Sequence, residues 1–308
     1  MRNVKYIIED IRTSTENEDV TEFIGITDKE ILRFINDAHH RLQAEIVKKS
    51  AKVFITEKIF TATGQEEYVL PPDIFLGNKI TDVKYRLTKG ANNWRPVDRA
   101  YVRNRDLDYA ATPRHYIRQA GSIFLRPQPH VGELRVTYVQ RLPQLDLQRA
   151  VVDSVVLDES NRTITSLILN TTTEEIDSRT ILRDNFITVV DELGEIKMSN
   201  IRITGIDTVT GAVTIHPSHN FDLEESITSG DIIVSGKYSS IASPIDDSIE
   251  RYIIAYAGFK ILQRDGSQEA STQVQVMQNM LQEIVDSYAV LDDDIDYIPD
   301  IDEDFDEL

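Results

Sequence analysis

The stretch PRHYIRQAGSIFLRPQP (residues 113–129) is the most informative about the fold, because it contains two short strands and the turn between them. Residues 114–119 and 122–125 form two short runs of strand length, in which arginines are interspersed with apolar residues. Gly121 lies between the two runs, and prolines bound them at both ends. The stretch therefore predicts a piece of β-sheet that is solvated on one face.

Similar short runs lie on both sides of this stretch and are also separated by proline or glycine. They are residues 52–60, 68–70, 79–87 and 133–138. Together the runs predict an antiparallel β domain.

Helical patterns enclose this β region. An apolar stripe predicts a first helix over residues 4–12. Thr27 and Glu30 form a capping-box pattern ahead of a helix predicted over residues 28–49. After Ser243-Pro244, which suit the start of a helix, apolar spacing predicts helices to about Gln263 and from about Val274 to Leu291. The last two form an αα-hairpin, since Asp265-Gly266-Ser267 separates them.

A second β-rich region lies between the sheet region and the αα-hairpin. Its six candidate strands are residues 154–157, 163–169, 186–190, 200–206, 212–216 and 232–237. Gly211 suits a hairpin position with positive φ. Short strands at this spacing predict a small closed or nearly closed barrel, inserted into the host domain with its two ends close together.

The predicted fold class is therefore α+β: a helical hairpin or bundle packed with an antiparallel β domain, an inserted barrel-like module, and an acidic C-terminal arm that is disordered when free. The predicted segments are 1–150 for the first part of the core, 151–240 for the inserted module, 241–291 for the αα-hairpin and 292–308 for the arm.

Charge is unevenly distributed along the chain. The net charge is −19, and residues 292–308 contribute ten carboxylates and no basic residue. Apolar residues are interspersed among these acids, which favours an arm that becomes ordered on a partner. The docking residues of the arm are predicted to be Asp292, Asp293, Asp294, Asp296, Tyr297, Ile298, Asp300, Ile301, Asp302, Asp304 and Phe305. The arm lacks the glycine of a calcium loop, since Tyr297 stands there.

No motif points to catalysis, to a metal or to a cofactor. The chain has no cysteine, so disulfides and thiolate chemistry are excluded. His39 and His40 are adjacent in a helix and point about 100° apart, so they cannot form an i, i+4 metal pair. The stretch from Gly230 to Tyr238 has the wrong glycine spacing for a phosphate loop. We therefore expect no enzyme. No stretch is long enough to span a membrane and no signal peptide is recognised, so we expect the chain to be made in the host cytoplasm without a membrane anchor.

Several stretches, in their order along the chain, resemble the head-to-tail adaptor (connector, or ring) proteins of tailed bacteriophages, especially the short-tailed kind. They are INDA (35–38), YVLPPDIF (68–75), WRPV (94–97), residues 113–129, and Tyr138 with Leu142-Pro143. The terminal αα-hairpin is also similar to the last helices of that family. The resemblance covers about residues 1–148 and 241–291.

The resemblance implies a structural virion protein at the head–tail interface. It implies a ring of about twelve copies beneath the portal, which would carry later tail proteins such as the nozzle and line the passage of the DNA. Residues 95–149 hold ten arginines and five carboxylates, and arginine favours interfaces with carboxylates. Arg114, Arg118, Arg126 and Arg135 are therefore hypothesised to face an adjacent subunit or the portal. Because a conduit should not grip phosphates, an acidic or neutral lumen without specific DNA binding is expected.

Two other interpretations remain open from the sequence. The chain could be a tail nozzle or collar subunit, with the inserted β module contacting fibres or the host surface. From a different class, it could be a tail-associated peptidoglycan hydrolase, because 52 acidic residues leave room for a pair of carboxylates at catalytic spacing.

Overall fold

The structure is a computed structural model. It describes residues 2–15, 26–75, 79–100, 112–119, 121–129, 131–158, 163–170, 186–207, 210–216, 227–244, 247–267 and 270–295.

In the described residues, four helices build one half of the core. They are α1 (Val4–Ser14), α2 (Asp28–Lys49), α3 (Asp247–Arg264) and α4 (Ala270–Ile295), with a 3-10 turn at Lys52–Phe54. Their apolar stripes meet in one buried cluster that includes Ile35, Tyr252 and Ile284. The Thr27 hydroxyl accepts from the Glu30 amide at 3.3 Å, as predicted. The Glu30 carboxylate, however, lies 3.3 Å from Arg264, so it links α2 to the end of α3.

Two four-stranded sheets build the other half. The strands are β2 (Ile55–Ala62), β3 (Glu67–Val69), β4 (Ile80–Arg86), β5 (Arg95–Pro96), β6 (Asp98–Arg99), β7 (His115–Gln119), β8 (Ser122–Arg126) and β9 (Gly132–Val139). Their orders are β2-β9-β4-β5 and β3-β8-β7-β6. Buried side chains of both sheets share one apolar cluster. The sheets are antiparallel as predicted, except that β6 lies parallel to β7.

The inserted region is a closed six-stranded barrel, which confirms the barrel prediction. Its strands are β11 (Ala150–Asp158), β12 (Thr163–Leu169), β13 (Phe186–Val190), β14 (Ile196–Asp207), β15 (Ala212–Ile215) and β16 (Ile232–Ser235), in the order β11-β12-β15-β14-β13-β16. Gly211 has φ 71°, and its amide donates to the carbonyl of Asp207 at 2.8 Å.

The two ends of the barrel lie side by side. Ala150 pairs with Ile233. Just outside the barrel, β10 (Gln144–Leu145) runs parallel to β17 (Ser239–Ser240). The chain then forms β18 (Ala242–Ser243), which pairs with β1 (Arg2–Asn3) at the start of the chain. This geometry is what an inserted module requires; the exact segment boundaries stay a prediction.

Two sequence predictions are wrong in detail. Ser243 was expected to cap the third helix, but it pairs with Arg2 in a strand and α3 begins at Asp247. The acidic arm was expected to begin at Asp292, but α4 continues to Ile295. Tyr288, Leu291 and Ile295 continue the helical spacing, so the pattern persists among the acids. Asp292, Asp293 and Asp294 are therefore helical, and the rest of the predicted arm, from Asp296 to Phe305, lies outside the described residues.

Candidate assembly interface

One polar face of α2 holds the chain segment that leads into the barrel. Asn36 donates to the Leu145 carbonyl at 2.8 Å and accepts from the Leu145 amide at 2.7 Å. Two turns later, Gln43 donates to the Gln140 carbonyl at 2.7 Å and accepts from the Leu142 amide at 3.0 Å. These two amide side chains thus pair with the backbone of residues 140–145 as a neighbouring strand would, and they satisfy groups that burial would otherwise leave unpaired.

His39 lies between these two side chains on the same face of α2. It is fully buried, and its Nε2 atom lies 3.3 Å from the Ser243 hydroxyl. Burial and, to a smaller extent, the neighbouring His40 lower the pKa of His39 to about 3, against a hydrogen bond with the Pro143 backbone that raises it. The imidazole is therefore neutral at pH 7 and connects α2 to β18.

We expect acid to destabilise the protein through His39. Its folded pKa lies below the unfolded value of about 6.5, so the unfolded chain binds more protons between these two pH values. The contribution of His39 to the free energy of unfolding should therefore have its full value above pH 6.5. It should fall by about 1.4 kcal/mol for each pH unit below that. Urea denaturation from pH 7 to 4.5 should show a shallower decline in His39→Gln than in the wild type. His115→Gln, a partly exposed control, should keep the wild-type slope.

The four predicted interface arginines do not form one cluster. Arg114 is exposed and lies just before β7, where its backbone amide donates to Arg126 at 3.0 Å. Arg118 is partly buried on β7, on the same face as Tyr116. Arg126 lies opposite His115 and therefore on the other face of that sheet.

Arg126 and Arg135 have partners within the chain. Arg126 forms an ion pair with Glu66. Arg135 lies on β9 of the other sheet, 3.6 Å from Glu57. In both side chains the Nε atom is buried, and the residues that the structure describes give it no hydrogen-bond partner. Arg114 is thus the most accessible of the four.

A cluster around Trp94 was not anticipated from the sequence. Trp94 is the only tryptophan of the chain, and the guanidinium carbons of Arg86 and Arg135 lie 4.3 and 4.6 Å from its ring centre. Arg86 in turn forms a hydrogen-bonded ion pair with the buried Glu133, with 2.6 Å between Nε and Oε2. The motif WRPV contains the tryptophan, but the two arginines that stack on its ring lie on β4 and β9. The sequence around Trp94 therefore gave no indication of the cluster.

A partly buried polar network connects the sheets to the chain segment that follows the last barrel strand. The Tyr138 hydroxyl donates to both oxygens of Asp73 at 3.0 Å, and Gln140 donates to Asp73 and to the Tyr238 hydroxyl. Burial, together with Asp73, raises the pKa of Tyr138 well above its usual value and that of Tyr238 to about 12. Both phenols stay protonated at neutral pH, so the network is suited to joining two parts of the chain rather than to transferring protons.

The candidate motifs for chemistry are accounted for as far as the structure describes them. Residues 230–238 contain β16, and Lys237 lies over the Phe186 ring at 4.4 Å, in agreement with the interpretation as a strand. Among the described residues, no group of three His, Asp or Glu side chains is placed to hold a metal ion. Within the same residues, no helix combines the length and the hydropathy needed to cross a bilayer.

The family model of the SU10 adaptor protein matches residues 2–168, slightly more than half of the chain. The chain therefore belongs to the SU10 adaptor protein family, and it is a structural adaptor of a bacteriophage virion that interacts with other head and tail proteins. No curated protein matches it. The match includes α1, α2, both sheets and the first strands of the barrel; the αα-hairpin lies beyond it.

Proposed function

We propose that this chain forms a homo-oligomeric ring, of about twelve copies, beneath the portal and connects the capsid to the tail nozzle. The observation that carries this proposal is the family match over residues 2–168. The matched residues form a connected unit that could serve as a ring subunit. Within them, Asn36 and Gln43 of α2 hold the segment of residues 140–145 that follows the sheets. A ring requires contacts between unlike faces of neighbouring copies, and this chain has both arginine-rich strands and a strongly acidic C-terminal end.

In the proposed ring, Arg114 and Arg118 contact carboxylates of a neighbour or of the portal. Arg126 and Arg135, which lie elsewhere on the two sheets, also face a neighbour or the portal, from positions supported by Glu66 and Glu57. The acidic arm docks on a partner, and the DNA passes through an acidic or neutral lumen. The chain assembles in the host cytoplasm and performs no reaction.

Electron microscopy of the purified full-length protein, with and without portal, tests the proposal. We expect rings or decorated portals. Arg114→Glu with Arg118→Glu should weaken that assembly, whereas Arg95→Glu, an exposed control on β5, should not. Assembly with nozzle or collar proteins but not with portal would favour the nozzle or collar interpretation. Peptidoglycan clearing in a zymogram would favour the hydrolase.

We also propose that the barrel is an independent insert. Val151 and Ile232 are paired neighbours at its entrance, so an Asn-Gly turn can join them in place of residues 152–231. The shortened protein should fold cooperatively and keep the helical circular dichroism signal of α1 to α4. Loss of cooperative unfolding would show that the barrel is part of the core.

A further inference from the structure

Strand β2 leaves one edge of its sheet open. The strand order β2-β9-β4-β5 places it at the end of the sheet. The Phe54 carbonyl accepts from the Gln140 amide at 2.7 Å, so the backbone groups of alternate residues point toward β9. Glu57 and Ile59 therefore direct their N–H and C=O groups away from β9, where no other strand lies in the described part of the chain. The Ile55 amide also lies on that side, but it donates to the Lys52 carbonyl.

This edge is long and regular, and two isoleucines are exposed on its outer face. It pairs with β9 in continuous register over eight residues, without a bulge. Ile55 and Ile59 lie on the outer face of the sheet and are 41% and 46% exposed. On that face of β2, Glu57 lies between them and contacts Arg135. Proteins usually protect such an edge, and those that leave it open use it to bind an extended segment as an additional strand.

A groove of about 630 Å³ begins where β2 begins. Val53, Phe54 and Ile55 form one side, and residues 194–196 of the barrel and Tyr288 of α4 form the others. Its wall contains Arg141, whose Nε atom is buried without a hydrogen-bond partner among the described residues. The groove thus combines apolar side chains with a guanidinium for which the described part of the chain shows no ion pair, and Glu195 also lines it. A charge-assisted contact with Arg141 suits an acidic ligand with apolar side chains.

The C-terminal residues 296–308 have the complementary chemistry. They carry seven carboxylates and no basic residue. Tyr297, Ile301 and Phe305 are spaced by four, so they share one face of an extended strand, while Asp300, Asp302 and Asp304 share the other. Such a strand would offer apolar side chains to the groove and to Ile55 and Ile59, and carboxylates to Arg141 and to the exposed Lys58.

We propose that the open edge of β2 and the groove at its start bind residues 296–308 of a second copy of this chain. The proposal rests on the proposed ring, because it names the contact between neighbouring copies. The second copy is the occupant because a ring needs two different faces on each subunit, here the β2 edge and the segment that follows α4.

A proline scan of the edge tests the backbone contact. Ile59→Pro removes an N–H that points away from β9, a position where an edge strand tolerates proline, so the monomer should keep its fold. Association between copies should weaken about tenfold or more in analytical ultracentrifugation, since a strand contact and its register are lost. Ile59→Ala, which keeps the N–H, should weaken it less. Arg141→Gln should weaken association, and the exposed control Arg95→Gln should not. Association of Ile59→Pro equal to that of the wild type would overturn the proposal.

Mixing two full-length variants identifies the occupant. The first carries Ile59→Pro and keeps the segment; the second carries Ile301→Asp with Phe305→Asp and keeps the edge. Neither should form rings alone, and their mixture should form one-to-one pairs. A photoreactive p-benzoylphenylalanine at position 305 should cross-link to β2. In a mixture of isotope-labelled and unlabelled protein, cross-linked peptides should join one labelled copy to one unlabelled copy. Cross-links within one copy, or to portal only, would overturn this proposal and leave the proposed ring intact. A wild-type chain that neither forms rings nor binds portal would instead overturn the proposed function.

Discussion

Replacing Glu133 with alanine is expected to lower the free energy of unfolding by about 3–5 kcal/mol, because it leaves a buried charge without its partner. The Glu133 side chain is 7% exposed and that of Arg86 is 13% exposed. Arg86 also donates to the Ala91 carbonyl at 2.6 Å and packs on Trp94, so it cannot turn to solvent without breaking the cluster. Urea unfolding followed by the fluorescence of Trp94, the only tryptophan, measures this loss at the site itself.

Glu57→Ala is the matched control in the same sheet. Glu57 is exposed and its carboxylate lies 3.6 Å from Arg135, so its removal should cost less than about 1 kcal/mol. The double variant Arg86→Met with Glu133→Leu should recover much of the loss, since it removes both charges. Equal losses for Glu57→Ala and Glu133→Ala would show that burial does not strengthen the Arg86–Glu133 pair.

Asn36→Ala should cost about 2–4 kcal/mol of unfolding free energy, because both the amide and the carbonyl of the buried Leu145 lose their partner. On heating, the contact between α2 and β10 should be lost early. Hydrogen exchange at the Leu145 amide should therefore be faster than in the wild type. Asp37→Ala, the exposed neighbour on α2, should leave stability within about 0.5 kcal/mol. A small effect of Asn36→Ala would indicate that water replaces the side chain.

The elements of the fold were predictable wherever the periodicity is local. The range of α2 and all six barrel strands follow from spacing within a few residues. Errors appeared where distant residues decide the outcome. Ser243 suits a helix cap, but Arg2 pairs with it across the whole chain. The last helix was predicted to end at about Leu291, whereas α4 continues to Ile295, in the first residues of the acidic segment.

The site was less predictable, because sequence shows residue types and not partners. The arginines were chosen for their abundance, yet Arg126 and Arg135 are engaged by Glu66 and Glu57. Asn36 lies in the stretch INDA (35–38), which indicated a family resemblance but no contact. Its partner Leu145 lies 109 residues away. The open edge of β2 depends on strand order, which no local pattern contains.

The pairing of β1 with β18 has a consequence for the order of events during synthesis. Residues 2–3 must wait for residues 242–243 to leave the ribosome before their ladder can form, and α1 likewise waits for α3, which it contacts. The barrel is continuous in sequence, so it can close while the helical half is still incomplete. We expect nascent chains of which residues up to about 240 have left the ribosome to protect the barrel from protease and to leave α1 cleavable.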